Sequence, residues 1–192
     1  VPSEIVEWDA RARASLASLV EAGGPAWTFL KNVTDTPVAM IGFASLLLMA
    51  WVWLAWKAGQ AVFKIVRVAV VYLAFLGLSD LIAYRLLKKN IGRLKPHVAS
   101  YVEGISQPLS FPSNHAFNLA FACTLAWGVC SSELRSRHGR IFIAFAGLVL
   151  VVGVSRVLVG EHYPLDVLGG WAFGALFAWI SRPIFRFLAG LS

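Results

Sequence analysis

The chain has 192 residues, 58% of them hydrophobic and only 14% charged, with a mean hydropathy of +0.71. A soluble domain is about 45–50% apolar and about 25% charged, so the composition argues against a disordered chain, a collagen-like repeat or an ordinary cytosolic enzyme. The net charge of +7, on so apolar a chain, points to loop topology or anionic lipid rather than to nucleic acid.

Residues 1–36 carry Glu4, Glu7, Asp9, Arg11, Arg13 and Glu21 among Ile5, Leu16, Leu19 and Val20. This pattern predicts an amphipathic helix lying on the membrane surface, broken at Gly23-Gly24-Pro25. Residues 1–22 have no continuous apolar core, so a signal peptide is not expected there. The clearest span is Val38–Trp56, with Trp51, Trp53 and Trp56 at its end as an interfacial aromatic belt. A second runs over Ile65–Tyr84 and tolerates Arg67 and Asp80. The remaining uncharged runs, Ala116–Ser132, Ile141–Ser155 and Val167–Ser181, are shorter. Fifteen residues rise only about 22 Å, against a hydrocarbon core of about 30 Å. Each therefore needs polar residues at one end: Pro112–His115, Arg156–Gly160 and Pro164–Asp166. Those ends fall at headgroup depth. Cys123 and Cys130 lie seven apart in one apolar run and read as small buried residues, neither a disulfide nor a metal pair.

The expected fold class is all-α: a polytopic membrane helix bundle with about five transmembrane helices plus an N-terminal amphipathic surface helix. The spans are placed at about 38–56, 65–84, 112–132, 141–160 and 164–181, within a single domain of residues 1–192 whose segment 1–36 is interfacial. Loops one and three and the tail share one side, with Lys57, Lys64, Arg67, Arg135, Arg137, Arg140, Arg182 and Arg186. If the cations of loops two and four serve a binding site, the positive-inside rule puts loops one and three in the cytoplasm.

Loops two and four share the other face and hold the unusual polar residues. Loop two opens with Lys88-Lys89-Asn90-Ile91-Gly92-Arg93-Leu94-Lys95-Pro96 and closes with Phe111-Pro112-Ser113-Asn114-His115. Loop four reads Ser155-Arg156-Val157-Leu158-Val159-Gly160-Glu161-His162-Tyr163-Pro164-Leu165-Asp166. Physically this is an anion site with a nucleophile. Pro112 suits the first position of a helix, so Ser113, Asn114 and His115 would present free backbone N–H groups at a positive dipole end. Lys88, Arg93, Lys95 and Arg156 supply fixed positive charge, and arginine can grip phosphoryl oxygens with two prongs. Asp166 follows His162 by four residues and can reach back to one ring nitrogen, leaving the other free to attack. His115, on the opposite wall, is the natural general acid.

These segments resemble the three motifs of the type-2 phosphatidic acid phosphatase superfamily, membrane lipid phosphatases whose site is shared with vanadium haloperoxidases. The family shows Lys-x6-Arg-Pro, Pro-Ser-Gly-His and Ser-Arg-x5-His-x3-Asp. Here Lys88-x6-Lys95-Pro96 and Pro112-Ser113-Asn114-His115 are similar to the first two, and Ser155-Arg156-x5-His162-x3-Asp166 matches the third. Two positions depart: Lys95 stands where the family has Arg, with Arg93 nearby to compensate, and Asn114 where it has Gly, where its side chain could narrow or tune the pocket. The resemblance implies that His162 attacks phosphorus to give a phosphohistidine, Asp166 orients it and His115 protonates the leaving oxygen. Lys88, Lys95, Ser113, Asn114 and Arg156 would hold the phosphoryl oxygens, with Arg93 beside them.

No cofactor or metal is expected, because a two-metal phosphatase needs clustered carboxylates and these loops offer only Glu103, Glu161 and Asp166. The expected partners are a lipid phosphate substrate and membrane lipids, not nucleic acid. The small size and short loops resemble bacterial members acting on polyprenyl diphosphate, phosphatidylglycerophosphate, phosphatidate or lipid A phosphates, with polyprenyl diphosphate preferred. Rivals are transfer to another lipid acceptor through the same intermediate, or a non-catalytic lipid-phosphate binding or transport protein. Asp80, the one acid within a span, is expected to pair with a motif cation. His97 and Lys89 read as bystanders near the headgroups.

Overall fold

The computed structural model describes residues 3–34, 37–57, 59–96 and 109–191. His97 and Glu103 lie outside them. The described residues form helices joined by short turns, with one isolated antiparallel bridge between Leu94 and Leu109. That bridge ties together the two ends of loop two.

Helix α1 (Ser3–Ala17) and helix α2 (Pro25–Thr34) are separated at Gly23, whose φ of 79° is a conformation glycine adopts without steric cost. Pro25 opens α2 at the position where its missing N–H is harmless. Helix α3 (Pro37–Lys57) is apolar along its length. Helix α4 runs Val62–Ile91, and its stretch Ala83–Lys88 is wound as a π-helix. The wider turn brings Lys88 inward, where it is only 2% exposed. Helix α5 (Asn114–Val129), helix α6 (Ser132–Leu158) and helix α7 (Pro164–Ala189) complete the bundle.

The helices outrun the apolar runs that announce them. Helix α6 takes in Ser132–Arg140, with a break in helical geometry at His138 (φ −123°, ψ 20°), because Ser131 caps its start by accepting from the Leu134 N–H. Helix α7 continues through Arg182 and Pro183 as far as Ala189. Phe185 and Ala189 are fully buried against α4 and α5, and that packing outweighs the lost proline hydrogen bond. Among the described residues, three helices, Val62–Ile91, Ser132–Leu158 and Pro164–Ala189, are long and apolar enough to cross a membrane.

Helix α5 is the hub. Phe121, Ala122, Leu125 and Ala126 pack with Val68, Tyr72 and Phe75 of α4, Phe142 of α6, and Ala178 and Phe185 of α7. Its contact with α7 is set by two glycines one turn apart. A methyl group on Gly170 would come within 2.7 Å of the Ala116 side chain, and one on Gly174 would strike the Phe117 backbone carbonyl. Small residues let two helix backbones approach closely where lipid offers no hydrophobic drive. The outer faces are apolar in turn: Val66, Val70 and Leu73 of α4, Ile143 and Leu150 of α6, and Leu176, Trp179 and Ile184 of α7 are exposed.

Candidate active site

The site forms where the start of α5, the end of α6 and the start of α7 meet. After α6 the chain wraps around one carbonyl: the N–H groups of Glu161 and His162 both donate to Arg156 O, at 3.1 and 3.2 Å. Gly160, with φ 80°, makes the turn possible. The chain then enters α7 at Tyr163, with Pro164 as its first residue and Asp166 in its first turn. The Asp166 carboxylate accepts from the Tyr163 N–H at 2.8 Å, which caps the helix and aims the carboxylate back at the loop.

His162 Nδ1 lies 3.4 Å from Asp166 Oδ2 and 3.3 Å from Ser110 Oγ, and the Ser110 hydroxyl donates to Asp166 Oδ2. One ring nitrogen is thus held by two oxygens, and Nε2 keeps its lone pair. His162 is 3% exposed. Burial pushes its pKa down from the usual 6.5 to about 4, reinforced by the Lys88 and Arg156 charges and opposed by the Asp166 hydrogen bond.

Ser110 is the participant that sequence reasoning missed. It is fully buried, and its N–H donates to Arg93 O beside the Leu94–Leu109 bridge. Nothing in Leu109-Ser110-Phe111 marks it, since its role comes from that pairing across loop two.

Lys88 and Arg156, at 2% and 1% exposure, are among the largest fully buried side chains. Lys88 Nζ donates to Leu109 O at 3.1 Å, while Arg156 reaches Thr34 Oγ1 at 3.3 Å and stands 4.0 Å from Glu161. Two buried cations side by side are costly unless an anion joins them. Lys95 Nζ lies on Glu161 Oε2 at 2.9 Å, at the edge of the same cluster.

At the start of α5 the geometry departs from expectation in two respects. The helix begins at Asn114 with Ser113 as its cap, so Pro112 lies outside it. The Ser113 N–H is not free: it donates to Asp166 O at 2.9 Å, tying α5 to α7. The N–H groups of Asn114 and His115 remain in the first helical turn, where no intrahelical acceptor exists. Ser113 Oγ and His115 Nε2 are buried and have no hydrogen-bond partner among the described residues. Polar atoms buried in this way are costly and call for an explanation at the site.

Three other residues stand elsewhere than expected. The Asn114 side chain does not simply line the pocket: its Nδ2 donates to Asp80 Oδ1 at 3.1 Å, and Asn118 Nδ2 donates to the same oxygen at 2.8 Å. Asp80 thereby meets amides rather than a motif cation. Arg93, expected among the phosphate ligands, spends both terminal nitrogens on carboxylates, Nη1 on Asp166 at 3.0 Å and Nη2 on Asp9 at 2.6 Å. Two of its five N–H donors are thereby committed to carboxylates, and in this arrangement Arg93 holds Asp166.

The family model described as PAP2 superfamily matches residues 68–188, well over half of the chain. The chain belongs to the PAP2 superfamily. Within this superfamily it is 33% identical over 153 residues to the lipid A 1-phosphatase of Rhizobium johnstonii, covering 66% of this chain and 57% of that one. It is 36% identical over 101 residues to phosphatidylglycerophosphatase B of Bacillus subtilis, covering 51% of this chain and 49% of that one. The chain therefore aligns to about half the length of these PAP2 relatives. A transmembrane PAP2 type phosphatidylglycerolphosphate phosphatase from Bacillus subtilis has the same fold, with a TM-score of 0.67 at 23% identity, over 95% of this chain and 87% of that one. This PAP2 chain is accordingly an all-α membrane protein.

Proposed function

We propose that this PAP2 chain hydrolyses a lipid phosphate or diphosphate without a metal, through a phosphohistidine on His162. The observation that carries the reading is the buried His162–Asp166–Ser110 arrangement beside the buried cations Lys88 and Arg156. His162 Nε2 gives its lone pair to phosphorus while Asp166 and Ser110 hold the Nδ1 proton. The bond from phosphorus to the leaving oxygen breaks, and His115 delivers a proton to that oxygen. Water then attacks the phosphohistidine, His115 takes up its proton, and the P–N bond breaks to release phosphate.

Lys88, Arg156, the Ser113 hydroxyl and the N–H groups of Asn114 and His115 stabilise the charge spread over the phosphoryl oxygens. Lys95 joins them by exchanging Glu161 for the substrate. The relatives' names, a lipid A 1-phosphatase and a phosphatidylglycerophosphatase, support a lipid substrate, as do the apolar outer faces of the helices. The bacterial relatives and the charge distribution of the loops support a cytoplasmic membrane location with the site on the extracytoplasmic side, and with residues 1–36 at the interface.

The test is phosphate release by the full chain and by His162→Ala, with chelator present, from polyprenyl diphosphate, phosphatidylglycerophosphate, phosphatidate and lipid A. Wild type is expected to release phosphate unaffected by the chelator, and His162→Ala to lose at least about a thousandfold in rate, the scale seen when a nucleophile is removed. Retained turnover in His162→Ala, or loss on metal removal, overturns the mechanism.

A further inference from the structure

The N-terminal helix lies outside the family match, which begins at residue 68, yet one of its carboxylates ends inside the site. Asp9 is fully buried. It accepts from Arg93 Nη2 at 2.6 Å and from the Leu165 N–H at 3.0 Å, partners 84 and 156 residues away in the chain. Both lead directly to Asp166. Arg93 places its other prong on Asp166 Oδ1 at 3.0 Å, and Leu165 is the residue before Asp166 in the first turn of α7. The guanidinium is fixed from its face as well, 4.0 Å over the Tyr163 ring.

The rest of the same helical face docks around the site. Arg13 and Leu16 follow Asp9 by four and seven residues, one stripe of α1. Arg13 Nη2 lies 3.1 Å from where a side chain on Gly160 would begin, over the turn that presents His162. Leu16 packs against the buried cluster of Ala116, Val157 and Val167, whose members are chain neighbours of His115, Arg156 and Asp166. Helix α1 therefore packs against α6 and α7, the helices that carry Arg156 and Asp166.

We infer that Asp9 is a positioning residue for the His162–Asp166 pair, acting through Arg93 and the first turn of α7. The inference rests on the proposed hydrolase. A carboxylate on the far prong of Arg93 keeps that cation from drawing Asp166 away from His162. Without the Asp9 charge, Arg93 bears on Asp166 alone, and the Nδ1 proton of His162 loses part of its acceptor. The nucleophile weakens while the phosphate cradle of Lys88, Arg156 and Ser113 is untouched. The effect falls on kcat rather than on KM.

The experiment uses the full chain as wild type, Asp9→Asn, Arg93→Gln and the double variant. It measures kcat and KM for lipid phosphate, together with orthovanadate binding by calorimetry. Vanadate takes a fifth ligand as phosphorus does in the transition state, and its binding stoichiometry counts folded sites, so kcat is expressed per site. Asp9→Asn is expected to lower kcat about tenfold to a hundredfold, as loss of an outer partner to a site histidine does, with KM changed less than about twofold on the uniform-binding criterion. It should also weaken vanadate binding, and the double variant should lose no more than Arg93→Gln alone. Wild-type kcat and vanadate affinity in Asp9→Asn, or losses that multiply in the double variant, overturn the inference. Asp9→Glu, which keeps the charge, guards against a folding defect: it should retain more activity per site than Asp9→Asn, and an equal loss overturns the proposal. If wild type releases no phosphate from any lipid, the hydrolase reading fails, and vanadate affinity alone decides the role of Asp9.

Discussion

At the residue scale, the proposed chemistry turns on a histidine that burial keeps neutral. A nucleophile must have its lone pair free, and a pKa near 4 for His162 leaves it free throughout the neutral and mildly acidic range. The acidic limb of kcat/KM that reports this group is expected near pH 4 rather than near 6.5, which a pH–rate profile on the purified protein checks. The same shift has a sign for stability. The folded state resists the proton that the unfolded chain accepts from about pH 6.5 downward, so stability falls as the pH drops from 6.5 towards 4. The His162–Asp166 spacing and the cations Lys88 and Arg156 were legible in the sequence, because helix geometry and charge are local properties. The partners of Arg93 and the place of Ser110 were not, because each depends on a segment far away in the chain.

At the element scale, the site is held by how closely α5 and α7 approach. Gly170 and Gly174 admit the backbone of α5, and the Ser113 N–H then reaches the Asp166 carbonyl. A methyl group at Gly174 has to displace the Phe117 backbone rather than a flexible side chain. Gly174→Ala is therefore expected to destabilise by at least the about 1–3 kcal/mol typical of overpacking, and to lower activity even in the protein that stays folded. Thermal unfolding in detergent, with phosphate release on the same samples, checks both. A neutral outcome would mean that the helices separate freely and that the glycine contact does not set the site. The π-helical stretch Ala83–Lys88 belongs to this scale too, since a regular α-helix would carry Lys88 along a different face. Hydropathy located the apolar helices, but neither the glycine contact nor the widened turn leaves a periodic signal.

At the scale of the whole molecule, the bundle puts the chemistry at one end and a ring of arginines at the other. Arg135, Arg137 and Arg140 stand at the start of α6, and Arg182 and Arg186 near the end of α7, away from the loops that carry His115 and His162. If the positive-inside rule orients the chain, a cysteine placed at Arg137 is expected to react with a membrane-impermeant thiol reagent only after cells are broken, and one placed at Lys89 in intact cells. The reverse pattern would turn the site towards the cytoplasm. Of the two native thiols, Cys130 is buried and Cys123 half-buried within the apolar helix α5, so labelling is compared with the protein carrying only these two.

Composition and local pattern determined by themselves that this is an all-α membrane chain and that its unusual polar residues gather in two loops, whose three short segments carry the likeness to the PAP2 motifs. Those properties follow from hydropathy and from spacings of a few residues, which a linear chain displays directly. Only the tertiary structure decided that Asp9 meets Arg93, that Ser110 meets His162 Nδ1, and that Asn114 turns to Asp80. Each joins residues at least 34 positions apart, brought together by helix packing, and no local property of the chain encodes which of its many polar side chains will meet.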